Sequence, residues 1–389
     1  MLKRFSQTYC SASTLIQLQK RRYMTQVRNV DPAKILFENN KPVIDDIDTK
    51  ETLKSACEIL QHNDIIAFPT ETVYGLAANC QSTDAVQKIY TAKNRPADNP
   101  LIIHVSSREM ITETLGAEIP SVYEPLIKKF WPGPLTIIIP LPQKSTISPL
   151  CTKGQQTFGC RMPAHPVARA LIEMSGLALA APSANASTRP SCTEAKHVLE
   201  DLDGRIPLIL DGGAANVGVE STVVDGLSSP PKILRPGGVS AEELRKFGGP
   251  EWENVISEVN VEVKDSDSVR APGMKYKHYS PKARVVLLDE DFNSIELKSI
   301  GGSPKKIALL RSRLIEASSI ERLWPNTKVI VFELGELKSQ ISHNLFSKFR
   351  DADNENVDLI VVEAVDTSDE GMAIMNRLNK AAETHVHAA

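Results

Sequence analysis

No cysteine follows Cys192 in this chain of 389 residues, and the six present (Cys10, Cys57, Cys80, Cys151, Cys160, Cys192) form no C-x-x-C pair. That excludes a zinc ribbon, a dithiol redox motif and a disulfide framework, and leaves reduced, structural thiols. No uninterrupted apolar run reaches the ~18 residues of a membrane span. Aromatic residues are scarce at 5% and the formal charge is only −3. Both weigh against a single-strand nucleic-acid binder, which needs stacking platforms and a basic groove. With 41% apolar residues the composition is that of a globular protein, long enough for two domains.

Acidic residues are absent from Met1 to Val30, where Lys3, Arg4, Lys20, Arg21, Arg22 and Arg28 stand among Ser, Thr, Leu and Gln. This is the make-up of a mitochondrial presequence, or of a disordered basic tail. Residues 1–35 are expected to lie outside the fold. Met24 offers a second start, so a cytoplasmic protein with an additional mitochondrial pool is the expectation.

The apolar run Ile65–Phe68 reads as a buried strand, and apolar residues at helical spacing flank it in Glu51–His62, with Thr49 as N-cap, and in Thr83–Tyr90. Further strands are expected at 101–105, 136–141, 158–162, 177–181, 208–210, 221–224 and 233–234, with helices at 122–130, 167–174 and 194–202. This irregular interleaving predicts an α/β domain over residues 40–250 with one large, twisted, mixed sheet and flanking helices. Residues 251–283 form a linker whose Lys275, Tyr276, Lys277, His278 and Tyr279 are too chemically rich for a passive spacer, and it is expected to act as a lid. Residues 284–389 carry four short apolar runs with helical stretches between, the pattern of a small, Rossmann-like parallel α/β domain.

The most informative stretch is Pro69-Thr-Glu-Thr-Val-Tyr-Gly-Leu-Ala77, followed by Lys93-x-Arg95-Pro96 and later by Ser183-Ala-Asn185. Hydroxyls, fixed cations and glycine-permitted backbone amides are the parts of a nucleotide-phosphate site. Taken singly, Lys93 and Arg95 also fit cations at a helix C-terminus, and Ser183 and Asn185 fit a helix cap. As surface cations, Lys93 and Arg95 are expected to contribute little to folding.

These segments, with Asn99-Pro-Leu-Ile-Ile-His104, Trp131-Pro-Gly-Pro-Leu-Thr136, Arg161-Met-Pro, Glu220-Ser-Thr-Val-Val-Asp225 and Leu234-Arg-Pro-Gly-Gly238, resemble the YrdC/Sua5 family in its longer, Sua5-type form. The resemblance covers residues 45–285 by motif and reaches the C-terminus through the linker and the trailing domain. It implies a nucleotidyltransferase that joins L-threonine, bicarbonate and ATP into threonylcarbamoyl-adenylate and releases pyrophosphate. The adenylate then goes to a tRNA threonylcarbamoyltransferase that modifies an adenosine beside the anticodon. Position by position, the resemblance gives Lys93, Arg95, Ser183 and Asn185 to catalysis. The ATP site takes the same four with Asn99, Thr157, Ser191 and Arg235. Thr72, His104, Arg161, Ala181 and Ser221 go to threonine, with Arg161 as its carboxylate clamp, and Tyr276, His278 and Tyr279 to the lid. Glu71 is the core carboxylate to watch as a base. Gly237 and Gly238 read as turn residues only.

No covalent nucleophile is needed for this reaction. Mg²⁺ is expected to enter with ATP, held by phosphate oxygens and water, without a metal site on the protein. Two rival readings remain: a carbamoyltransferase like those of hydrogenase maturation, which carry cysteine-rich modules, and a non-catalytic module with weak RNA binding.

Overall fold

The computed structural model describes residues 24–94, 99–258, 278–289, 303–312 and 316–386. Arg95, Lys275, Tyr276, Lys277 and Cys10 lie outside them, as does most of the basic N-terminal segment.

Eleven strands form the large sheet. From one edge it runs Gln26–Asn29, Leu208–Asp211, Ile66–Phe68, Gly75–Asn79, Leu179–Ala180 and Ile103–His104. It continues through Thr157–Arg161, Leu135–Pro140, Thr222–Asp225, Lys232–Arg235 and Ile256–Ser257. Pairing is mixed: Ile66–Phe68 lies parallel to Leu208–Asp211 and antiparallel to Gly75–Asn79. Side-chain alternation divides the apolar runs between two cores. Ile65 and Ala67 face one core, with helices Thr83–Lys93, Glu124–Phe130 and Ala195–Leu202. Ile66 and Phe68 face the other, with helices Ile47–Gln61 and Pro166–Ser175. Burial on both faces is why these strands read as unbroken apolar runs and not as alternating ones.

Several boundaries differ from expectation. The first strand of the sheet, Gln26–Asn29, and buried Val30 and Ile35 fall inside the supposed tail, so the fold starts by residue 25 and not near 40. Thr25 fastens this entry, its hydroxyl donating to Ile206 O at 2.7 Å and accepting from Gly204 N at 2.9 Å. Asp46, not Thr49, caps the helix Ile47–Gln61, its carboxylate accepting from Thr49 N at 2.8 Å. The segment 251–258 is no linker: Trp252 is fully buried in the first core and Ile256–Ser257 closes the sheet.

The C-terminal domain is a five-stranded, all-parallel sheet in the order Lys328–Glu333, Lys306–Arg311, Leu359–Glu363, Arg284–Leu288, Thr384–Val386. Its last strand escaped the sequence reading. Helices Lys338–Asn354 and Gly371–Ala381 carry this domain onto the first. Gly218 allows close approach: it has φ +79°, and a Cβ there would stand 2.4 Å from His343 Cα. Ser342 Oγ donates to Val217 O at 3.2 Å, and His343 Nδ1 donates to Asn216 O at 3.0 Å. Val73, in the loop of the first domain, packs in the same apolar cluster as Tyr279, Leu345, Phe346 and Phe349.

Candidate active site

The first domain holds a pocket of 420 Å³, walled by the turn after strand Ile66–Phe68, the loop 181–191, the ends of strands carrying His104, Arg161, Ser221 and Arg235, and the linker end. That volume suits a small-molecule ligand. The turn is built by Thr70, a residue the sequence reading passed over. Its hydroxyl accepts from Thr72 N and Val73 N, both at 3.2 Å, and donates to Val73 O at 2.6 Å. The turn is then stitched to the opposite loop, with Tyr74 N donating to Cys192 O and Leu76 N donating to Pro182 O.

Arg161 is 4% exposed and divides its donors among three places. Nη2 donates to Glu71 Oε1 at 2.6 Å, Nη1 to Thr72 Oγ1 at 2.9 Å and Nε to Gly133 O at 3.1 Å. A guanidinium has five N–H groups, so two stay available for a planar anion such as a carboxylate. Glu71 does not line the pocket. Its second oxygen accepts from Ala164 N at 3.0 Å, so it orients Arg161 and is no candidate for a base.

Lys93 ends the helix Thr83–Lys93, as a helix-terminal cation would, but it is 2% exposed and turned inward. Its ammonium donates to the carbonyls of Ser183 and Asn185. The expectation of a surface cation of little structural weight therefore fails, because loss of the ammonium would leave the buried Asn185 carbonyl and the half-buried Ser183 carbonyl short of a donor, at about 1–3 kcal/mol for the buried one. Ser183 Oγ donates to Asn185 Oδ1 at 2.5 Å, while Asn185 Nδ2 donates to Ala186 O at 2.8 Å and Arg189 O at 2.9 Å. The S-A-N segment is thus a self-bonded loop, not a helix cap.

His104 is buried, with its ring edge-on to Phe68 at 6.3 Å between centroids, and its Nδ1 has no hydrogen-bond partner. Burial, then the Arg161 charge, pushes its pKa down to about 3. It is neutral at physiological pH and lines the pocket.

Thr72, Lys93, Asn99, His104, Arg161, Ala181, Ser183, Asn185, Ser191, Ser221, Arg235, His278 and Tyr279 all line this one pocket. Thr157 does not. It begins the strand whose far end is Arg161, and four steps of about 3.3 Å along the strand set the two about 13 Å apart. Sequence reading missed Glu220, which lines the pocket although only its neighbour Ser221 was singled out. Burial would raise the Glu220 carboxyl, but Arg377, then Arg235 and the Ser191 hydroxyl, hold it down to about 2. Gly237 is more than a turn residue: a Cβ there would lie 2.2 Å from Glu220 O and 2.5 Å from Thr222 N, so only glycine fits behind Ser221. The cysteines match expectation. Cys57, Cys80, Cys151, Cys160 and Cys192 are buried free thiols, with Cys57 and Cys192 pushed up to about 12 by burial.

Two family models match the chain. One, described as telomere recombination, covers residues 58–237, and the other, the threonylcarbamoyl-AMP synthase C-terminal domain, covers 239–383. The threonylcarbamoyl-AMP synthase of Schizosaccharomyces pombe is 46% identical over 89% of this chain and 92% of its own length. That of Pyrococcus abyssi is 42% identical over 85% and 93%. A crystal structure of the P. abyssi protein Sua5 complexed with L-threonine superimposes with a TM-score of 0.77, covering 93% of this chain and all of that one. A putative threonylcarbamoyl-AMP synthase of Mycobacterium tuberculosis, 33% identical, spans only 50% of this chain but 88% of its own. A two-domain α/β protein whose first domain holds the pocket is thereby defined. The chain belongs to the threonylcarbamoyl-AMP synthase family, in its longer form with the C-terminal domain.

The buried, neutral His104 has a consequence for stability. Its folded pKa, about 3, lies below the unfolded value near 6.5, so the unfolded chain binds the extra proton as pH falls. Stability contributed by the neutral ring is complete above pH ~6.5 and is lost towards pH ~3, at up to about 1.4 kcal/mol per pH unit. His197, also held to about 3, acts in the same direction. Urea midpoints between pH 6.5 and 5 should fall less steeply for His104→Asn than for the parent, and equal slopes would contradict a buried neutral ring.

Proposed function

We propose that the protein joins L-threonine, bicarbonate and ATP into L-threonylcarbamoyl-adenylate with release of pyrophosphate. The observation that carries this reading is the gathering of Arg161, Lys93 and Arg235 with hydroxyls and amides in one pocket. Arg161, oriented by Glu71 and Thr72, offers its two remaining N–H groups to the threonine carboxylate. On the other side Lys93 organises the loop Ser183–Asn185 for the triphosphate. The amino nitrogen of threonine attacks bicarbonate, with loss of water, and the resulting carbamate oxygen attacks the α-phosphorus as pyrophosphate leaves. The protein supplies position and fixed charge, and no covalent nucleophile is required. Mg²⁺ enters as part of the ATP substrate. The carboxylates beside the pocket suit that role for the metal, because Glu71 and Glu220 are already engaged by arginines.

Pyrophosphate release by the purified protein should require threonine and bicarbonate together, and threonine-independent release would reject the reading. In the same assay, Arg161→Ala should raise the threonine KM by about tenfold or more with a much smaller change for ATP, since a hydrogen bond to a charged group contributes about 1.5–3 kcal/mol.

The linker reading is narrower than first drawn, but His278 and Tyr279, where the linker ends, form part of the pocket wall. They support a lid that keeps water from the reactive adenylate. Truncation after Glu258 is a poor test, because it also removes arginines that neutralise buried carboxylates of the first domain. Replacing His278 and Tyr279 together by Ala should instead leave ATP consumption high while adenylate breaks down faster. Equal adenylate lifetimes would dismiss the lid.

The product passes to a tRNA threonylcarbamoyltransferase, and the low aromatic content keeps direct RNA binding by this chain a minor feature. Among the described residues, no helix is long and apolar enough to cross a membrane. The acid-free N-terminus supports a mitochondrial pool beside a cytoplasmic one. Because the sheet begins at Gln26, a start at Met24 keeps every strand. A fluorescent fusion of residues 1–30 should enter mitochondria, and a wholly cytosolic signal would remove that part of the proposal.

A further inference from the structure

Arg377 stands in the helix Gly371–Ala381 of the C-terminal domain, lines no part of the pocket and is fully buried. Its Nε and Nη2 donate to Glu220 Oε2 at 3.0 and 2.8 Å. Its Nη1 donates to Pro236 O, and its guanidinium carbon lies 5.7 Å from the centroid of the Tyr279 ring. These three partners come from separate parts of the chain, and each adjoins the pocket. The second oxygen of Glu220 accepts from Ser191 Oγ at 2.5 Å. Beyond Pro236, Arg235 donates from Nε and Nη2 to Ser221 O at 3.2 and 2.9 Å. Tyr279 also packs on Phe346, with centroids 5.2 Å apart.

A buried ion pair is a weak source of net stability, because desolvation offsets most of the attraction, so its value lies in fixing geometry. Here the fork fixes an ionised carboxylate, which can only accept. The Ser191 proton is therefore committed to Glu220, and its lone pairs are presented to the pocket. We propose that Arg377 is a positioning residue through which the C-terminal domain sets the ATP-facing wall formed by Ser191 and Arg235. This rests on the synthase reading above. Arg161, which the synthase reading gives to the threonine carboxylate, is held by Glu71, Thr72 and Gly133, none of which Arg377 touches.

The test uses the full chain in two variants, Arg377→Lys and the double variant Arg377→Met/Glu220→Gln. The first keeps the charge but loses the fork. The second removes both charges without stranding a buried one. Threonine- and bicarbonate-dependent pyrophosphate release is measured against ATP and threonine concentration, alongside thermal melting. Both variants should fold and show kcat/KM for ATP lowered by up to about 10²-fold, the scale of a slight misplacement at a reacting centre. The ATP KM should rise, and the threonine KM should change at most about twofold. Variants with lower kcat but an unchanged ATP KM have lost only folded protein, and that result overturns the proposal. So does wild-type kinetics in either folded variant, or failure of both to fold, which would assign Arg377 to the fold alone. A parent chain without threonine-dependent turnover defeats the synthase reading and with it the role of Arg377. An active parent with unaffected variants defeats that role alone.

Discussion

A cation taken out of water must be met by fixed acceptors, and in this pocket the acceptors are the loops that form it. Arg161, Lys93 and Arg235 are each 5% exposed or less. None is simply delivered to a ligand by a rigid strand. Arg161 ties the turn at Thr72 to Gly133, Lys93 ties its helix end to the carbonyls of Ser183 and Asn185, and Arg235 ties its strand to Ser221. The charges that suit an anionic substrate are the same ones that hold the walls in register. Site and scaffold cannot be separated here, and a change at one of these cations reaches both binding and folding.

This dual use explains what could be read from the sequence. Ile65–Phe68 announced a strand because both faces of it are buried, and the parallel C-terminal domain was legible for the same reason. The strand Gly75–Asn79 gives no such signal. Its Gly-Leu-Ala-Ala-Asn sequence has no β-branched residue, and its conformation comes from pairing with Ile66–Phe68 on one side and Leu179–Ala180 on the other. Gln26–Asn29 was hidden by its polarity: all four side chains are exposed, and only the backbone ladder to Leu208–Asp211 makes it a strand.

The site residues divide along a similar line. Among the described residues, the site candidates meet in one pocket, apart from Glu71, which holds Arg161, and Thr157, which lies at the far end of the strand that ends in Arg161. Glu220 was in view within its motif, yet nothing near it in sequence marks it as charged and buried. Its partner arrives 157 positions later, on a helix of another domain. Lys93 is similar, because a helix-terminal lysine reads as solvated until the loop that covers it is known. Composition and periodicity report on local structure, and both cases concern long-range neutralisation of charge.

The C-terminal domain engages the first one through two fully buried arginines on separate helices. Arg350 donates to Asp201 Oδ2 at 2.8 Å and to Pro190 O at 2.6 Å, and Asp201 in turn accepts from Ala186 N at 2.9 Å. Burial would raise the Asp201 carboxyl, but Arg350 holds it below the usual range. Asp201 thus braces the loop that runs from Asn185 to Ser191, while Arg377 braces Ser191 from Glu220. Apolar packing alone, as at Val73 and Phe346, would hold the domains together but would tolerate small slides between them. Two arginine forks do not tolerate such slides, because each must satisfy its carboxylate and a carbonyl at once. A docking fixed in this way places both ends of one pocket loop from outside its own domain, and rigidity of that loop is what a reaction governed by position requires.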